Sequence, residues 1–393
     1  MREAVIVASV RTPGGRARRG GLRDTRADVL GSTAIKGALA KAPQLKLETI
    51  DDVIIGCSFP EAEQGLNIGR VLAKHCGLPD SVPGYTVNRF CSSGLQAIAL
   101  AAQNIMTGFN DIIVAGGLEN MSRVPMGGFI NRPDPDWTDT YPDIYVSMGI
   151  TAENVANRYG ITRQMQDEMG LRSNELAAQA QDKGWFDAEL VPVTQAVKYK
   201  QVNGHYVKST FVFDKDDGIR RGTTMEGLAK LRPAFAANGS VTAGNSSQTT
   251  DGAAASILMS AEKAKELGIK PLAKFHNFQV AGCKSDEMGV GPRYAIPKLL
   301  KKVGKDIKDI DLFEINEAFA SQAVYCVREL GIPMDKVNVC GGAIALGHPL
   351  GCTGAKLTAT LIHQLRRLGK KWGIVSMCIG GGMGAAGLIE LLD

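Results

Sequence analysis

Two cysteines, a histidine and an asparagine stand where a side chain could take part in catalysis. The first, Cys91, follows a short β-prone segment and precedes apolar residues at three- and four-residue spacing, which predicts a helix. Free N–H groups and the macrodipole at a helix N-terminus favour a thiolate, so this position suits a nucleophile. The alternative is a buried structural cysteine.

The histidine, His348, lies between Gly347 and Pro349 in the segment GGAIALGHPLGCTGAK, residues 341–356. A loop of this kind can direct a side chain into a cleft. The ordinary pKa of histidine, about 6.5, suits proton transfer from a thiol at neutral pH. We therefore predict that His348 is the base for a nucleophilic cysteine, with a structural histidine as the alternative.

The second cysteine, Cys378, ends a predicted strand and is followed by the glycine-rich run that includes Gly380. A poised thiol can donate and accept a proton at a carbon centre, and the glycine run offers backbone N–H groups to an oxyanion. A tight turn that needs glycine is the alternative, and both can hold. Asn316 follows another strand end, where it could bind a ligand or water. On its own, it favours the cap of the next helix.

Composition and charge restrict the class of protein. The chain has 393 residues, 44% hydrophobic and 22% charged, with a net charge of +5, which indicates a soluble globular protein that suits an anionic small ligand. Its basic runs do not alternate with aromatic residues, which argues against nucleic-acid binding. No apolar run reaches the roughly 18 residues of a membrane span.

Cysteine usage and the N-terminus bear on the compartment. Eight cysteines in a chain of this length do not form a disulfide framework, and no Cys/His cluster has zinc spacing, so we expect no metal. A strand opens the sequence and leaves no room for a signal peptide. We expect a cytoplasmic protein.

An internal repeat predicts two α/β halves of like topology, each with a mixed sheet. Four pairs of segments recur in the same order: residues 50–55 and 310–315, 87–88 and 337–338, 111–117 and 373–378, and 252–259 and 384–391. The last two segments of the first half are far apart in sequence, which predicts an insertion over about 118–251. We place the domains at 1–269 and 270–393.

The insertion is expected to be a loop domain. Residues 131–145 and 211–250 have the composition of loops, and residues 152–159 and 164–183 that of polar helices. Outside the insertion, residues 34–40, 95–106 and 356–368 are predicted helices between apolar strands, a pattern typical of an α/β protein.

Together, four motifs resemble the thiolase family over essentially the whole chain. They are VNRFCSSGLQAI around Cys91, NEAFA from Asn316, GGAIALGHPLGCTGAK around His348 and CIGGGMG from Cys378. The resemblance implies a duplicated α/β core with an inserted loop domain. It also implies cleavage of a 3-ketoacyl-CoA by free CoA, with CoA as a substrate and no other cofactor.

The resemblance also implies a role for each catalytic residue. His348 would take the proton of Cys91, whose thiolate attacks the 3-keto carbon, and Cys378 would protonate the departing acetyl-CoA carbanion. Cys378 would then deprotonate free CoA, whose sulfur attacks the acyl-enzyme. His348 and a water on Asn316 would hold the thioester oxygen, and the N–H groups of Cys91 and Gly380 the acyl oxygen.

The family pattern implies contacts for CoA as well. We also expect a homodimer or homotetramer. Ser247 and Arg220 would bind CoA. Met148, Met288 and Phe319 would line the pocket for its acyl and pantetheine parts, although the methionines could equally be core fillers.

Departures from one branch of the family favour a degradative enzyme. Short-chain biosynthetic thiolases typically carry a histidine where this chain has Ser147, and their serine of the CoA site is followed by Gly-Leu-Asn, not by residues 248–250 as here. We expect a 3-ketoacyl-CoA thiolase of fatty-acid β-oxidation, with acetoacetyl-CoA thiolase as the alternative. A non-catalytic acyl-CoA-binding protein is disfavoured because no catalytic residue is missing.

Overall fold

Strands and helices alternate along the chain in the computed structural model, which describes residues 2–203 and 205–392. The strands are β1 (Ala4–Arg11), β2 (Gly15–Arg16), β3 (Asp52–Gly56), β4 (Tyr85–Val87), β5 (Ile112–Asn120), β6 (Val193–Val202), β7 (His205–Phe213), β8 (Thr250–Ser260), β9 (Ala273–Gly282), β10 (Leu312–Ile315), β11 (Trp372–Ile379) and β12 (Met383–Leu391). The helices are α1 (Ala27–Ala40), α2 (Ile68–His75), α3 (Ser93–Thr107), α4 (Pro135–Thr140), α5 (Met148–Arg158), α6 (Arg163–Asp182), α7 (Met225–Ala229), α8 (Ala261–Glu266), α9 (Gly291–Val303), α10 (Ala320–Glu329), α11 (Ala343–Leu346) and α12 (Leu350–Leu368).

The two halves have the same strand order and directions, as the repeat predicted. In the first, β1 pairs antiparallel with β8, β8 antiparallel with β5, and β5 parallel with β3. In the second, β9, β12, β11 and β10 repeat this series. Strand β4, parallel to β3, has its counterpart in a single parallel bridge between Phe313 and Val337. The predicted pair of similar α/β halves is confirmed.

The two sheets are joined, which the repeat did not reveal. Strand β1 pairs antiparallel with β9 at Val5 and Ile6, so one hydrogen-bonded path runs from β10 to β4. The predicted domain boundary after residue 269 falls between α8 and β9, directly before this junction.

The interval between β5 and β8 differs most between the halves. These strands are neighbours in the sheet but residues 121–249 lie between them, whereas residues 380–382 suffice to connect β11 and β12. The predicted helices are present as α5 and α6. The predicted loops were wrong in part, because they contain α4, the end of the hairpin β6–β7 and α7. Helix α4 lacks an apolar stripe and is held locally by Asp134, whose side chain accepts from the N–H of Asp136.

Helices form three layers separated by the strands of the two halves. Successive side chains of β3 point to opposite faces of the sheet and illustrate this arrangement. Val53 and Ile55 pack in a core with α1 and α2. Ile54, between them, packs in a central core with α3 and α12. A third core packs α9 and α10 against the strands of the second half. The central layer is therefore covered on both sides.

The two central helices approach closely through glycine. A Cβ on Gly94 would lie 2.8 Å from the backbone nitrogen of Ala355, and one on Gly354 would lie 2.3 Å from that of Leu95. Helix α12 begins at Leu350, earlier than predicted, so this contact is made near the N-terminal ends of both helices. The segments that precede the helices carry Cys91 and His348.

All eight cysteines are free thiols. Within residues 2–203 and 205–392, no helix has the length and apolar character that a membrane crossing requires.

Candidate active site

Cys91 lies in a 3-10 turn, Phe90–Ser92, between β4 and α3. The predicted thiolate is not favoured in the resting structure, because burial raises the pKa of the Cys91 thiol to about 12. The backbone N–H groups of Gly380 and of Cys91 itself lower this pKa only in part, and the Glu119 carboxylate raises it further. Desolvation outweighs the helix N-terminus here, so Cys91 needs a base.

The hydrogen bonds of His348 define that base. Its backbone N–H donates to the carbonyl of Gln248 at 3.0 Å, which fixes the loop between α11 and α12. Its Nδ1 lies 2.6 Å from Oγ1 of Thr353, and this hydroxyl donates to the carbonyl of Pro349 at 2.9 Å. Nδ1–H is therefore the donor to Thr353. In this tautomer Nε2 carries a lone pair and can accept a proton.

Asn316 faces His348 and does not cap a helix. The N-cap position of α10 is Phe319, so the cap that we favoured from sequence is wrong. The side-chain Nδ2 of Asn316 lies 3.3 Å from Nε2 of His348. Its Oδ1 is buried and has no hydrogen-bond partner in the described parts of the chain. A buried unpaired carbonyl oxygen can accept from a water or a ligand.

Cys378 lies near the end of β11, with Gly380 directly after the strand. Burial raises the pKa of the Cys378 thiol well above its usual value, and the charge of Cys91, when present, raises it further. The turn beyond Gly380 has positive φ at Gly381 and Gly382, so it requires glycine, as the turn interpretation held. The same turn directs the N–H of Gly380 to Cys91, so both interpretations of the glycine run agree with the structure.

These residues come from separate parts of the chain and meet at one place. The turn that carries Cys91 contacts β11, which contains Cys378. It also contacts α12, which begins two residues after His348. Cys91 lies close enough to Cys378 for its charge to raise the pKa of the Cys378 thiol. Cys91 thus neighbours Cys378, Asn316 contacts His348, and the helix that begins directly after the His348 loop packs against the turn of Cys91.

The three residues expected to line the acyl and pantetheine pocket lie together. Met148, Met288 and Phe319 pack in one apolar cluster with Cys378. A Cβ placed on Gly380 would lie 3.5 Å from Phe90 and 3.7 Å from Met148, which are its nearest neighbours. The apolar cluster thus adjoins the thiol proposed as acid and base.

Of the two residues expected to bind CoA, Ser247 adjoins this site and Arg220 lies farther out. The N–H of Ser247 donates to the carbonyl of Ala318 at 2.9 Å, beside Asn316 and Phe319. Arg220 donates through Nη1 to the carbonyl of Ala243 at 2.9 Å, in the loop leading to Ser247. It also lines a cavity of about 320 Å³. Burial and the neighbouring Arg16 lower the pKa of Arg220.

Sequence reasoning missed the residues that support this site. Thr353 fixes the tautomer of His348. In the sequence, the only indication of this role is that Thr353 follows His348 by five residues. Gln248 accepts from the N–H of His348 and donates through Nε2 to the carbonyl of Gly218 at 2.7 Å. It was noted only as a departure from the short-chain branch.

Glu119 joins the start of α12, directly after the His348 loop, to the segment that follows β3. Its buried carboxylate accepts from the N–H of Gly351 and of Ser58, both at 2.8 Å, and from Nε2 of Gln64 at 2.7 Å. Gly351 belongs to the first turn of α12, where a negative charge is favourable.

Comparison with known proteins decides the family. The family model described as the thiolase N-terminal domain matches residues 4–262, and that described as the thiolase C-terminal domain matches residues 269–391. The chain belongs to the thiolase family. A relative named 3-ketoacyl-CoA thiolase, from Bacillus subtilis (strain 168), is 54% identical over 391 residues and covers 100% of both chains.

Solved thiolase structures share this fold. The dimeric peroxisomal thiolase of Saccharomyces cerevisiae matches with a TM-score of 0.89 and 38% identity, over 100% of this chain and 98% of that one. The acetyl-CoA acetyltransferase of Bacillus anthracis matches with a TM-score of 0.88 and 41% identity, over 100% of this chain and 99% of that one. The predicted thiolase fold is therefore confirmed.

Proposed function

We propose that this thiolase cleaves 3-ketoacyl-CoA with free CoA, giving acetyl-CoA and an acyl-CoA shortened by two carbons. The observation that supports the proposal is that Cys91 neighbours Cys378 and that its turn packs against α12, which follows the loop where His348 contacts Asn316. The name of the Bacillus subtilis relative, 54% identical over the full chain, supports the same activity. The proposed site needs no metal or cofactor besides the substrate CoA.

Acylation begins with proton transfer from Cys91 to Nε2 of His348, and the sulfur then attacks the 3-keto carbon. As the bond between C2 and C3 breaks, its electron pair passes to C2 and takes the proton of Cys378, which releases acetyl-CoA. The backbone N–H groups of Cys91 and Gly380 stabilise the oxygen that becomes negative in the first step. Both N–H groups already face the sulfur.

Deacylation reverses these roles for a second CoA. The Cys378 thiolate takes the proton of the incoming thiol, whose sulfur attacks the Cys91 thioester, and Cys91 leaves and recovers a proton from His348. Before acylation, Nδ2 of Asn316 lies against Nε2 of His348 and orients the imidazole, and the unpaired Oδ1 of Asn316 can hold a water. A thioester is close in energy to the CoA thioester that it exchanges with, so cysteine suits this reaction better than serine.

An apolar surrounding assists the proton transfers. Cys378 packs against Met148, Met288 and Phe319, where a charged thiolate is poorly solvated. A carbanion next to a thioester is a strong base, so a neutral thiol with a raised pKa is a suitable proton donor. Because the same apolar surroundings disfavour the charged form, the Cys378 thiolate that forms after this proton transfer readily takes the proton of the incoming CoA thiol.

We further propose that the substrate is a 3-ketoacyl-CoA of fatty-acid β-oxidation, used in the cytoplasm by a dimer or tetramer of this chain. Support for an oligomer comes from the yeast relative, which is described as dimeric, and from the sheet edge at β4. Near that edge Phe90 is 37% and Leu66 is 95% exposed.

The test is an assay of 3-ketoacyl-CoA with and without CoA, in which chromatography follows acetyl-CoA and the shortened acyl-CoA. We expect equal amounts of both products, only in the presence of CoA. Cys91→Ala should abolish turnover, while Cys76→Ala, a half-buried thiol on the C-terminal end of α2, should retain it. Binding of acyl-CoA without any cleavage by the wild type would instead support a non-catalytic carrier.

A further inference from the structure

Lys356 is a buried lysine on the second turn of α12, close to the loop that carries His348. Its side chain lies in the interior, with 4% of its surface exposed. Its Nζ donates to the carbonyl oxygens of Leu346 at 2.7 Å and of Gly347 at 3.0 Å. These are the two residues before His348, so one ammonium group binds the chain directly at the base of the catalytic imidazole.

The chain turns sharply between α11 and His348, and Lys356 adds to the hydrogen bonds that the N–H of His348 makes with Gln248 and Thr250. Helix α11 ends at Leu346, and Gly347 has a φ of +79°, which turns the chain sharply into His348. A Cβ on Gly347 would lie 2.0 Å from Oγ1 of Thr250, so this glycine is packed tightly against β8. Without Lys356, the two buried carbonyls would lose the hydrogen-bond donor that they share, which is unfavourable in the interior.

An interior lysine requires compensation, and a charge cluster beneath the loop supplies it. Arg11 donates to Glu189 through Nε at 2.5 Å and to Asp216 through Nη1 at 2.8 Å, and all three side chains are buried. The negative charges of Asp216 and Glu189 favour the charged form of Lys356, and Arg11 opposes it. In residues 2–203 and 205–392, the hydrogen bonds of Nζ are those to the two carbonyls.

We propose that Lys356 is a positioning residue for the catalytic histidine, because its ammonium fixes the carbonyls of Leu346 and Gly347 and keeps a positive charge behind His348. It touches neither substrate nor the reacting atoms. The charge disfavours protonation of the imidazole from solvent at low pH, and it equally disfavours the imidazolium that forms when Cys91 gives up its proton. The contribution of Lys356 to catalysis at neutral pH therefore lies in holding the chain directly before His348.

The ionisation of the surrounding groups agrees with this role. Burial and then the charge of Lys356 lower the pKa of His348, to about 3. Burial and then Arg11 lower the pKa of Lys356, to about 8, so the ammonium persists at neutral pH. The other titratable groups near Lys356 are Asp216 after β7, Glu189 after α6, Glu314 on β10 and Cys352 on α12.

The test compares Lys356→Met and Lys356→Arg with a matched control. Lys336→Met removes a half-buried lysine that also donates to a carbonyl, that of Ile310 at 2.8 Å, away from the site. For Lys356→Met we expect kcat for thiolysis to fall by about tenfold to a hundredfold with little change in KM. We also expect the acid limb of its kcat/KM profile to lie at higher pH than in the wild type, because His348 then retains a proton to higher pH.

Lys356→Arg keeps the charge and the donors, so we expect its acid limb to coincide with that of the wild type. Lys336→Met should match the wild type in kcat and in pH profile. The inference is overturned if Lys356→Met keeps kcat within twofold, or loses activity with its acid limb unmoved, which would indicate a merely structural role. If Lys356→Met does not fold, a shifted acid limb in the folded Lys356→Arg overturns it.

This inference rests on the proposed thiolysis, and the same assay separates the two. A wild type that forms no acetyl-CoA from any 3-ketoacyl-CoA contradicts the proposed function. An active wild type with an unaffected Lys356→Met contradicts only the role of Lys356.

Discussion

Asn316 and His348 are joined by a contact of 3.3 Å between Nδ2 and Nε2, while Oδ1 of Asn316 is buried without a partner in the part of the chain that the structure describes. This amide can therefore orient the imidazole with one end and accept a hydrogen bond from a water with the other. Neither function is that of a helix cap. The contact crosses from the end of β10 to the loop before α12.

Loss of this amide should impair catalysis more than binding. We expect Asn316→Ala to lower kcat for thiolysis by about a hundredfold, with a smaller change in KM, because the water that Asn316 holds would no longer donate to the developing oxyanion. The control is Asn277→Ala on β9, whose side chain accepts from Nε2 of Gln279 at 2.8 Å. A kcat for Asn316→Ala equal to that of the control would remove Asn316 from the site.

The resting site should contain a thiol and a neutral imidazole, without charge separation. Burial raises the pKa of Cys91 to about 12 and lowers that of His348 to about 3, so both groups are uncharged at neutral pH. Only the thiolate is alkylated, and its fraction rises about tenfold for each pH unit below the thiol pKa. We therefore expect the rate of Cys91 alkylation by iodoacetamide to rise continuously from about pH 6 to about pH 9.

Mass spectrometry of the peptide that carries Cys91 measures this rate separately from those of the other seven cysteines. A rate that is already constant at about pH 6 would indicate a thiolate–imidazolium pair and would contradict the neutral resting state.

Replacement of the second cysteine should separate acylation from turnover. Cys378→Ser preserves the shape of the side chain but raises the pKa of the proton donor far out of range. We expect turnover to fall by at least about a hundredfold, typical of a lost general acid or base, while Cys91 is still acylated slowly. Both quantities can be followed in one experiment by product formation and by intact-protein mass. Near-normal turnover would mean that another group transfers the proton.

Substrates longer than acetoacetyl-CoA should be preferred. The insertion covers the site, since Ile144 Cδ1 lies 3.7 Å from where a Cβ on Gly381 would be, and Met148 lies beside Gly380. Each additional methylene buried in an apolar pocket contributes about 0.8 kcal/mol, so two are worth about tenfold in kcat/KM if the gain is kept in the transition state.

The measurement is kcat/KM for thiolysis of C4, C6, C10 and C16 3-ketoacyl-CoA. A maximum at C4 with a steep fall at C6 would show that the pocket is closed beyond four carbons. The protein would then be better described as an acetoacetyl-CoA thiolase.

Sequence alone predicted the architecture because the repeat is carried by strand residues. The segments 50–55 and 310–315 recur because β3 and β10 occupy equivalent buried places, and Phe313 even repeats the pairing of β3 with β4 through Val337. The hairpin β6–β7 and helix α4 were missed because local turns and caps form them, without an apolar period.

For the site, sequence identified residue types but not their environment. The position of Cys91 before α3 was correct, yet the favoured thiolate was wrong because burial depends on packing by β11 and α12. The partner of Asn316 is a histidine in a distant segment, and no local pattern discloses such a contact. Lys356 was visible only as the end of a motif, because its role depends on the carbonyls that it reaches through space.

The central claim is that Cys91 carries the acyl group. The most direct measurement is peptide mass spectrometry after brief incubation of the protein with 3-ketoacyl-CoA in the absence of free CoA, followed by an acid quench. We predict the mass of the shortened acyl group on the peptide of Cys91, and its loss when CoA is added before the quench. An acyl group on another cysteine, with Cys91 unmodified, would contradict the account.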